Sequence, residues 1–230
     1  MTAQKSITKE WIEAVAKSKK ADKILVEKVI RALILLEGLS ESGLNYVFKG
    51  GTALMLLFNS DKRLSIDIDI VVPEKEKDLT DILQNICAAK GLARFEKQER
   101  IAGTNIDKEH YKLFFTSALD NREGHILLDV LKEDVLYQNI IEMPIDSDFI
   151  SQENEPAMVR LPDFNNILGD KLTAFAPNTT GIPYFKSNRE MGMEIIKQMY
   201  DIGCLCHEAD NPKIGGGVNP LFLSLEVPVL

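Results

Sequence analysis

The segment 64–72 constrains the fold of this chain most, because polar and apolar residues alternate along it. Successive side chains of a β-strand point to opposite faces of a sheet, so the alternation predicts a half-buried strand. Asp67 and Asp69 would then share one face, about 7 Å apart along the backbone, and the isoleucines beside them would point into the core. Two acids at this spacing can bind a divalent cation, although Asp-x-Asp pairs also occur on ordinary surface strands.

Two adjacent glycines, Gly50 and Gly51, lie between a predicted short strand at 46–48 and a predicted helix at 52–58. Glycine lets the backbone approach a ligand closely. The first N–H groups of the helix and the positive end of its dipole then favour a phosphate. A tight turn that requires positive φ explains an isolated glycine pair at least as well. A phosphate cradle followed by a strand that carries two acids is a much rarer combination.

A third acid, Asp129, interrupts the apolar strand predicted at 125–131. A lone carboxylate is costly to bury unless it is paired or bound to a metal, although an exposed position at a sheet edge would remove that cost. A metal site shared with Asp67 and Asp69 accounts better for an acid among so many aliphatic residues. Three such carboxylates suit Mg²⁺ or Mn²⁺ and a two-metal displacement at phosphorus.

Composition and charge exclude several classes of protein. With 45% hydrophobic and 27% charged residues, the chain can bury a core. A net charge of −8 argues against a protein that coats nucleic acid without specificity, since such binding relies on clustered lysine and arginine. No apolar run approaches the ~20 residues needed to span a membrane, and three cysteines provide no disulfide framework. We expect a cytoplasmic protein without a membrane partner.

The order of the predicted elements gives an α+β fold, with helices before and after a mixed centre. Helices are predicted within the first forty residues, where Asp22 is a candidate N-cap, and at 76–90, 163–175 and 189–205. Further strands are predicted at 93–98 and 111–117. We expect one part over 1–155, with the N-terminal helices and the core, and a helical part over 156–230 with an irregular tail after 211.

Four short motifs follow one another along the chain. They are FKGGTAL at 48–54, RLSIDID at 63–69, GDKLTAF at 169–175 and KQMYDI at 197–202. In content and order they resemble the AbiEii/AbiGii toxin family within the DNA polymerase β-like nucleotidyltransferase superfamily. The resemblance covers roughly residues 44–205. It implies a polymerase β-like nucleotidyltransferase core with a mixed sheet.

The resemblance also implies an activity. Such a toxin, from an abortive-infection or toxin–antitoxin system, would transfer a nucleoside monophosphate from an NTP to an RNA acceptor such as tRNA, and a cognate antitoxin protein would neutralise it. Asp67 and Asp69 would bind the metal, and Asp129 would complete the metal site and help to deprotonate the acceptor hydroxyl. The residues that would contact the nucleotide are Gly50, Gly51, Thr52, Ser65, Lys171, Lys197 and Asp201.

Some of these residues have plainer explanations. Lys171 could be a solvated lysine beside the apolar face of its helix, and Lys197 could form a surface ion pair with Asp201, four residues away. His110 and His125 are isolated in the sequence and predict no site. Two other functions also stay open. One is a nucleotidyltransferase that modifies a small molecule, which the acidic composition favours slightly, and the other is a catalytically inactive nucleotide-binding module.

Overall fold

The computed structural model describes residues 1–59, 63–73, 77–98, 108–176, 181–186 and 188–209. The chain divides into two compact units, Met1–Leu161 and Pro162–Leu230. The predicted tail after residue 211 lies outside the described residues. Across the described residues, the helices are too short or too polar to cross a lipid bilayer.

Helices of the first unit surround one long buried helix. After one turn of 3-10 helix come α1 (Lys9–Lys19), α2 (Lys23–Glu41), α3 (Gly50–Leu57) and α4 (Thr80–Lys90). The Asp22 carboxylate accepts hydrogen bonds from the N–H groups of Ile24 and Leu25, both at 3.0 Å, so the predicted N-cap is confirmed. From Val29 to Leu39 every residue of α2 is buried, which makes this helix the centre of the core.

The main sheet of the first unit has five strands in the order β1-β2-β5-β4-β3. They are β1 (Val47–Lys49), β2 (Ile68–Val71), β3 (Arg94–Gln98), β4 (Lys108–Thr116) and β5 (Glu123–Leu131). β2 and β5 are parallel, whereas every other pair of neighbours is antiparallel. The sheet is therefore mixed, and the predicted α+β class is confirmed.

The neighbouring strands β2 and β5 each present one buried aliphatic face and an opposite face that carries an aspartate. Five aliphatic side chains point into the core and are at most 1% exposed: Ile68, Ile70, Ile126, Leu128 and Val130. Asp69, Leu127 and Asp129 alternate with them and are half-buried. Strand β2 begins at Ile68, later than the predicted position 64, because the register with β5 starts at the Ile68–Leu128 pair and that with β1 at the Lys49–Asp69 pair.

Two further strands lie where the sequence pattern is weak. β6 (Ile140–Pro144) and β7 (Met158–Pro162) pair with each other in a separate two-stranded sheet. Pro144, which has no backbone N–H group, is the last residue of β6. A proline at the end of a strand is compatible with strand pairing before it. Between these strands, Gln152 forms a bridge with Thr2. The amino terminus is thereby fixed to the first unit.

The second unit is mainly helical. It contains α5 (Phe164–Phe175), a short hairpin of β8 (Phe185–Lys186) and β9 (Arg189–Glu190), and α6 (Gly192–Ala209). Asp163 caps α5 by accepting a hydrogen bond from the N–H of Asn166 at 2.9 Å. The helix predicted to start at 189 starts at Gly192, because Arg189 and Glu190 pair with β8 instead.

Candidate active site

Four neighbouring strands of the main sheet each contribute one polar residue to a single line across the sheet. Lys49 of β1 pairs with Asp69 of β2, Asp69 pairs with Asp129 of β5, and Asp129 pairs with His110 of β4. Register partners on adjacent strands point to the same face. We call Lys49, Asp69, Asp129 and His110 the cross-strand row. It lies on the face opposite the core, and all four residues are half-buried.

The cross-strand row lines a pocket of about 140 Å³. The remaining lining residues are Lys108, Ile70, Val130 and Leu131. One water molecule occupies about 30 Å³ in the liquid, so the space suits a few small polar groups. Two carboxylates, two ammonium groups and one imidazole line this pocket, which makes it suitable for a charged ligand.

Asp129 has a partner within the row. The Nδ1 atom of His110 lies 2.7 Å from Oδ1 of Asp129. A carboxylate accepts hydrogen bonds and donates none, so the imidazole N–H donates to Asp129. The Asp129 side chain stays 37% exposed, against 14% for His110. Asp129 is therefore oriented by the sheet and remains accessible from the pocket.

Gly50 brings the backbone against the carboxylate of Asp69. Its φ is +83°, a left-handed conformation that side chains rarely adopt. A Cβ at this position would lie 2.8 Å from Cγ of Asp69 and closer still to Oδ2. The turn explanation of the glycine pair thus applies at Gly50, where the close contact is with Asp69, and the approach of a phosphate to this backbone stays a prediction. The first turn of α3 begins beside Asp69 as a result.

Gly51 lies beneath two polar side chains. A Cβ there would lie 2.8 Å from Oγ of Ser65 and 2.9 Å from Nη1 of Arg63. Ser65 and Arg63 therefore pack directly over the start of α3. This contact places a hydroxyl and a guanidinium group at the helix N-terminus, where an anion is also favoured.

Thr52 and Asp67 are joined by a structural hydrogen bond. The Thr52 hydroxyl is fully buried and donates to the backbone oxygen of Asp67 at 2.6 Å. This bond fixes α3 to the residue that immediately precedes β2.

The charge of Asp67 also affects a nearby histidine. Burial lowers the pKa of His125, and two nearby lysines lower it further. The negative charges of Glu123 and Asp67 oppose this shift.

The structure brings Asp69 and Asp129 together in register. Nowhere in the described residues do three or more His, Cys, Asp or Glu side chains form a group that could hold a metal ion. The pair of register-matched carboxylates, open to a polar pocket, nevertheless fits a divalent cation, because Mg²⁺ and Mn²⁺ prefer such oxygen donors. Asp69 and Asp129 are the residues of the row that could hold it, with Asp67 two positions earlier on the chain.

In the second unit, Lys171 of α5 and Asp201 of α6 form a buried ion pair. The Nζ–Oδ2 distance is 2.8 Å, and the side chains are only 8% and 4% exposed. Lys171 is therefore not the solvated lysine that the sequence allowed. Asp201 is buried and contacts Lys171. Lys197, its expected partner on the same helix, is exposed. The helix pattern around 197–201 could not reveal this, because the partner of Asp201 lies on another helix.

Two residues of the row, His110 and Lys49, were not predicted as site residues. Lys49 lies in the glycine motif but attracted no role, and its Nζ is 5.8 Å from the ring centroid of Tyr137. His110 looked isolated because its partner is reached only through strand pairing. β4 and β5 form a hairpin, and the centre of its turn determines which residues of the two strands are opposite each other. If the sequence had shown that centre, counting outward from it would have placed His110 opposite Asp129.

The mixed sheet, the glycine turn into α3 and the paired acids define the protein as one with a nucleotidyltransferase fold. An antigenic nucleotidyltransferase-like protein from Paracoccidioides brasiliensis has a similar structure, with a TM-score of 0.52 and 14% identity over 80% of this chain and 77% of that one. The model of the nucleotidyl transferase AbiEii toxin family, type IV toxin–antitoxin system, matches residues 34–216, and the chain belongs to this family.

Two further solved structures have lower TM-scores. JHP933 from Helicobacter pylori shares 16% identity, with a TM-score of 0.48 over 79% of this chain and 64% of that one. The chain thus spans less than two thirds of the length of JHP933. ANT(2")-Ia, solved with adenylyl-2"-tobramycin, shares 15% identity, with a TM-score of 0.45 over 78% of this chain and 88% of that one. Comparison with curated protein sequences found no match.

Family membership confirms the resemblance inferred from the four motifs. That family consists of nucleotidyl transferase toxins of type IV toxin–antitoxin systems.

Proposed function

We propose that this protein transfers a nucleoside monophosphate from an NTP to a hydroxyl group of an RNA acceptor, such as the end of a tRNA, with release of pyrophosphate. We further propose that it acts as a toxin in the cytoplasm. The reaction depends on Mg²⁺ or Mn²⁺ held by Asp67, Asp69 and Asp129. The observation that carries the proposal is the register pairing of Asp69 with Asp129 on the open face of the sheet, beside the glycine turn.

Each residue of the site has a distinct task in this proposal. Asp69 and Asp129 hold the cation from adjacent strands, and Asp129 also accepts the proton of the acceptor hydroxyl. The N–H groups at the start of α3, reached through Gly51, bind the triphosphate with help from Ser65. When bound, the cation neutralises phosphate charge and polarises the phosphorus centre.

Thr52 contributes through its position and its backbone. Its hydroxyl already donates a hydrogen bond to the backbone oxygen of Asp67. We therefore assign the binding of phosphate to the backbone N–H of Thr52. In the second unit, we assign Lys171, Lys197 and Asp201 to the nucleotide. Of the two lysines, Lys197 is exposed and available to a phosphate, whereas the ammonium of Lys171 is shared with Asp201.

The test is a transfer assay with the purified protein. Each of the four NTPs, labelled on the α-phosphate, is incubated with the protein, total RNA and either Mg²⁺ or Mn²⁺. Wild type is compared with Asp69→Asn and with Asp81→Asn, a matched change of an exposed aspartate in the first turn of α4. We expect label in RNA bands with wild type and Asp81→Asn, and none with Asp69→Asn.

A second candidate function is transfer to a small molecule, which the net charge of −8 favours because RNA would be repelled by an acidic surface. The same assay includes a small-molecule extract as acceptor. If label appears only in this fraction, the acceptor is a small molecule and not RNA. No label in either fraction, with either metal, would identify a catalytically inactive nucleotide-binding module and overturn the proposed activity.

A further inference from the structure

His110 has a place in the cross-strand row that the family assignment leaves without a role. It is the register partner of Asp129, and the two side chains also contact each other, with 2.7 Å between Nδ1 and Oδ1. On its other side, Asp129 is the register partner of Asp69. One carboxylate therefore lies between a second carboxylate and an imidazole on the same face.

This arrangement affects how Asp129 is held. Two neighbouring carboxylates repel each other when no cation is bound. The N–H of His110 attracts Oδ1 of Asp129 from the far side and restrains rotation of the carboxylate. The hydrogen bond uses one lone pair of Oδ1, whereas Oδ2 takes no part in the contact with His110. His110 itself is held inside the sheet, since its backbone pairs with β5 on one side and with Gln98 of β3 on the other.

We propose that His110 is a positioning residue that orients Asp129 for the divalent cation and the acceptor hydroxyl. This inference rests on the proposed function, because Asp129 must act at that site for its orientation to matter. Partners that hydrogen-bond a metal ligand from behind commonly affect metal affinity or activity by 10- to 100-fold. The alternative is a hydrogen bond that only stabilises the β4–β5 pair.

Two substitutions of His110 separate these explanations. His110→Leu removes the donor, whereas in His110→Asn the side-chain NH₂ occupies about the position of Nδ1 and can donate to the same oxygen. Lys112→Leu is the matched control. Lys112 lies on the same strand and face and is also half-buried. Its register partner on β5 is Leu127 rather than an acid, and its partner on β3 is Glu96.

The first measurement is the binding of Mn²⁺ alone to each purified protein, with electron paramagnetic resonance as the method of detection. The second is kcat for transfer of labelled nucleotide, and the third is the melting temperature. We expect His110→Leu to weaken Mn²⁺ binding and to lower kcat by about 10- to 100-fold. His110→Asn should recover most of both, Lys112→Leu should match wild type, and all variants should melt within a few degrees of one another.

Three results would overturn the inference. His110→Leu could bind Mn²⁺ and turn over like wild type, so that the orientation of Asp129 would not depend on His110. Both His110 variants could lose binding and melting temperature together, which would make the hydrogen bond structural. Wild type itself could bind no Mn²⁺ and transfer no label, and then both this inference and the proposed function would be wrong. If wild type binds Mn²⁺ without transfer, the binding measurement alone decides the role of His110.

Discussion

The protein uses aspartate in two very different settings. In the first unit, Asp129 is 37% exposed and receives one hydrogen bond from an imidazole. In the second unit, Asp201 is 4% exposed and is neutralised by the ammonium of Lys171 at 2.8 Å. A buried carboxylate with a full countercharge has little affinity left for a cation. A partly solvated carboxylate next to a second acid keeps that affinity, so the sheet is where a cation would bind.

The largest effect is expected from Asp69→Asn, which changes charge and nearly preserves shape. Transfer should fall to background, a loss of at least about 1000-fold, and growth arrest on induction should disappear. The melting temperature without metal should stay the same or rise slightly, because repulsion between Asp69 and Asp129 is relieved. Labelled transfer, growth and thermal melting are measured together. A variant that stays toxic, or one that loses toxicity by unfolding, would contradict the role of Asp69 as a metal ligand.

Breaking the buried pair should mainly affect stability. Lys171→Met leaves the Asp201 charge buried without its countercharge, which should lower the free energy of unfolding by about 3–5 kcal/mol in urea titrations. Adding Asp201→Leu should restore most of that loss, because a hydrophobic pair can replace a buried ion pair.

The double variant also tests the nucleotide role of Lys171. If this variant is stable but does not bind NTP, the pair serves the substrate as well as the fold. A double variant with wild-type NTP affinity would restrict Lys171 and Asp201 to a structural role.

A smaller effect is expected from Gly50→Ala. The new methyl group would meet the carboxylate of Asp69, and the backbone would be held at a φ of +83°. Gly43→Ala is the matched control, since Gly43 has a φ of +74° and open space around its Cβ position. Gly43→Ala should cost about 1 kcal/mol from backbone strain. Gly50→Ala should cost more and also lower transfer, and equal costs with unchanged transfer would exclude the close contact with Asp69.

The smallest effect is expected from the ion pair between Glu37 of α2 and Lys90 of α4, whose Nζ–Oε1 distance is 2.8 Å. Burial would raise the pKa of Glu37, but hydrogen bonds from Lys90 and Thr2 outweigh it and hold that pKa below its usual value of 4.5. A carboxyl group with a depressed pKa stabilises the fold above its unfolded pKa and loses that contribution as pH falls through the folded value.

Glu37→Gln should therefore be less stable than wild type by on the order of 1 kcal/mol at pH 7, and the difference should shrink below pH 4.5. Urea titrations between neutral and acidic pH measure it, with Glu41→Gln as the control. Glu41 is the more exposed of the two partners of Lys90. A difference that does not change with pH would show that Glu37 stabilises the protein through packing alone.

Local patterns in the sequence predicted the elements that local physics controls. Asp22 starts α2 because its side chain reaches N–H groups two and three residues ahead, and Gly91 ends α4 in a left-handed conformation. The alternation of acids and aliphatics predicted which face of β2 and β5 is buried. These features depend on neighbours within a few positions.

Features that depend on distant partners were not predictable in this way. The contact of His110 with Asp129 follows from the register of a hairpin, which the sequence does not fix. The partner of Asp201 lies on α5, and the sequence only offered Lys197, on the same helix. β6 and β7 pair across a segment without clear periodicity, so neither strand has a pattern that stands out by itself.

The parallel pairing of β2 with β5 also determines when the site can exist. α4, β3 and β4 all lie between these two strands along the chain. Contacts between distant parts of a chain form slowly, because the loop between them must close first. During synthesis, a nascent chain that ends before Glu123 contains the glycine turn, Asp67 and Asp69, but not the strand that carries Asp129. The two acids can therefore meet only after β5 has left the ribosome and folded, so the pocket between them forms only when the first unit is nearly complete.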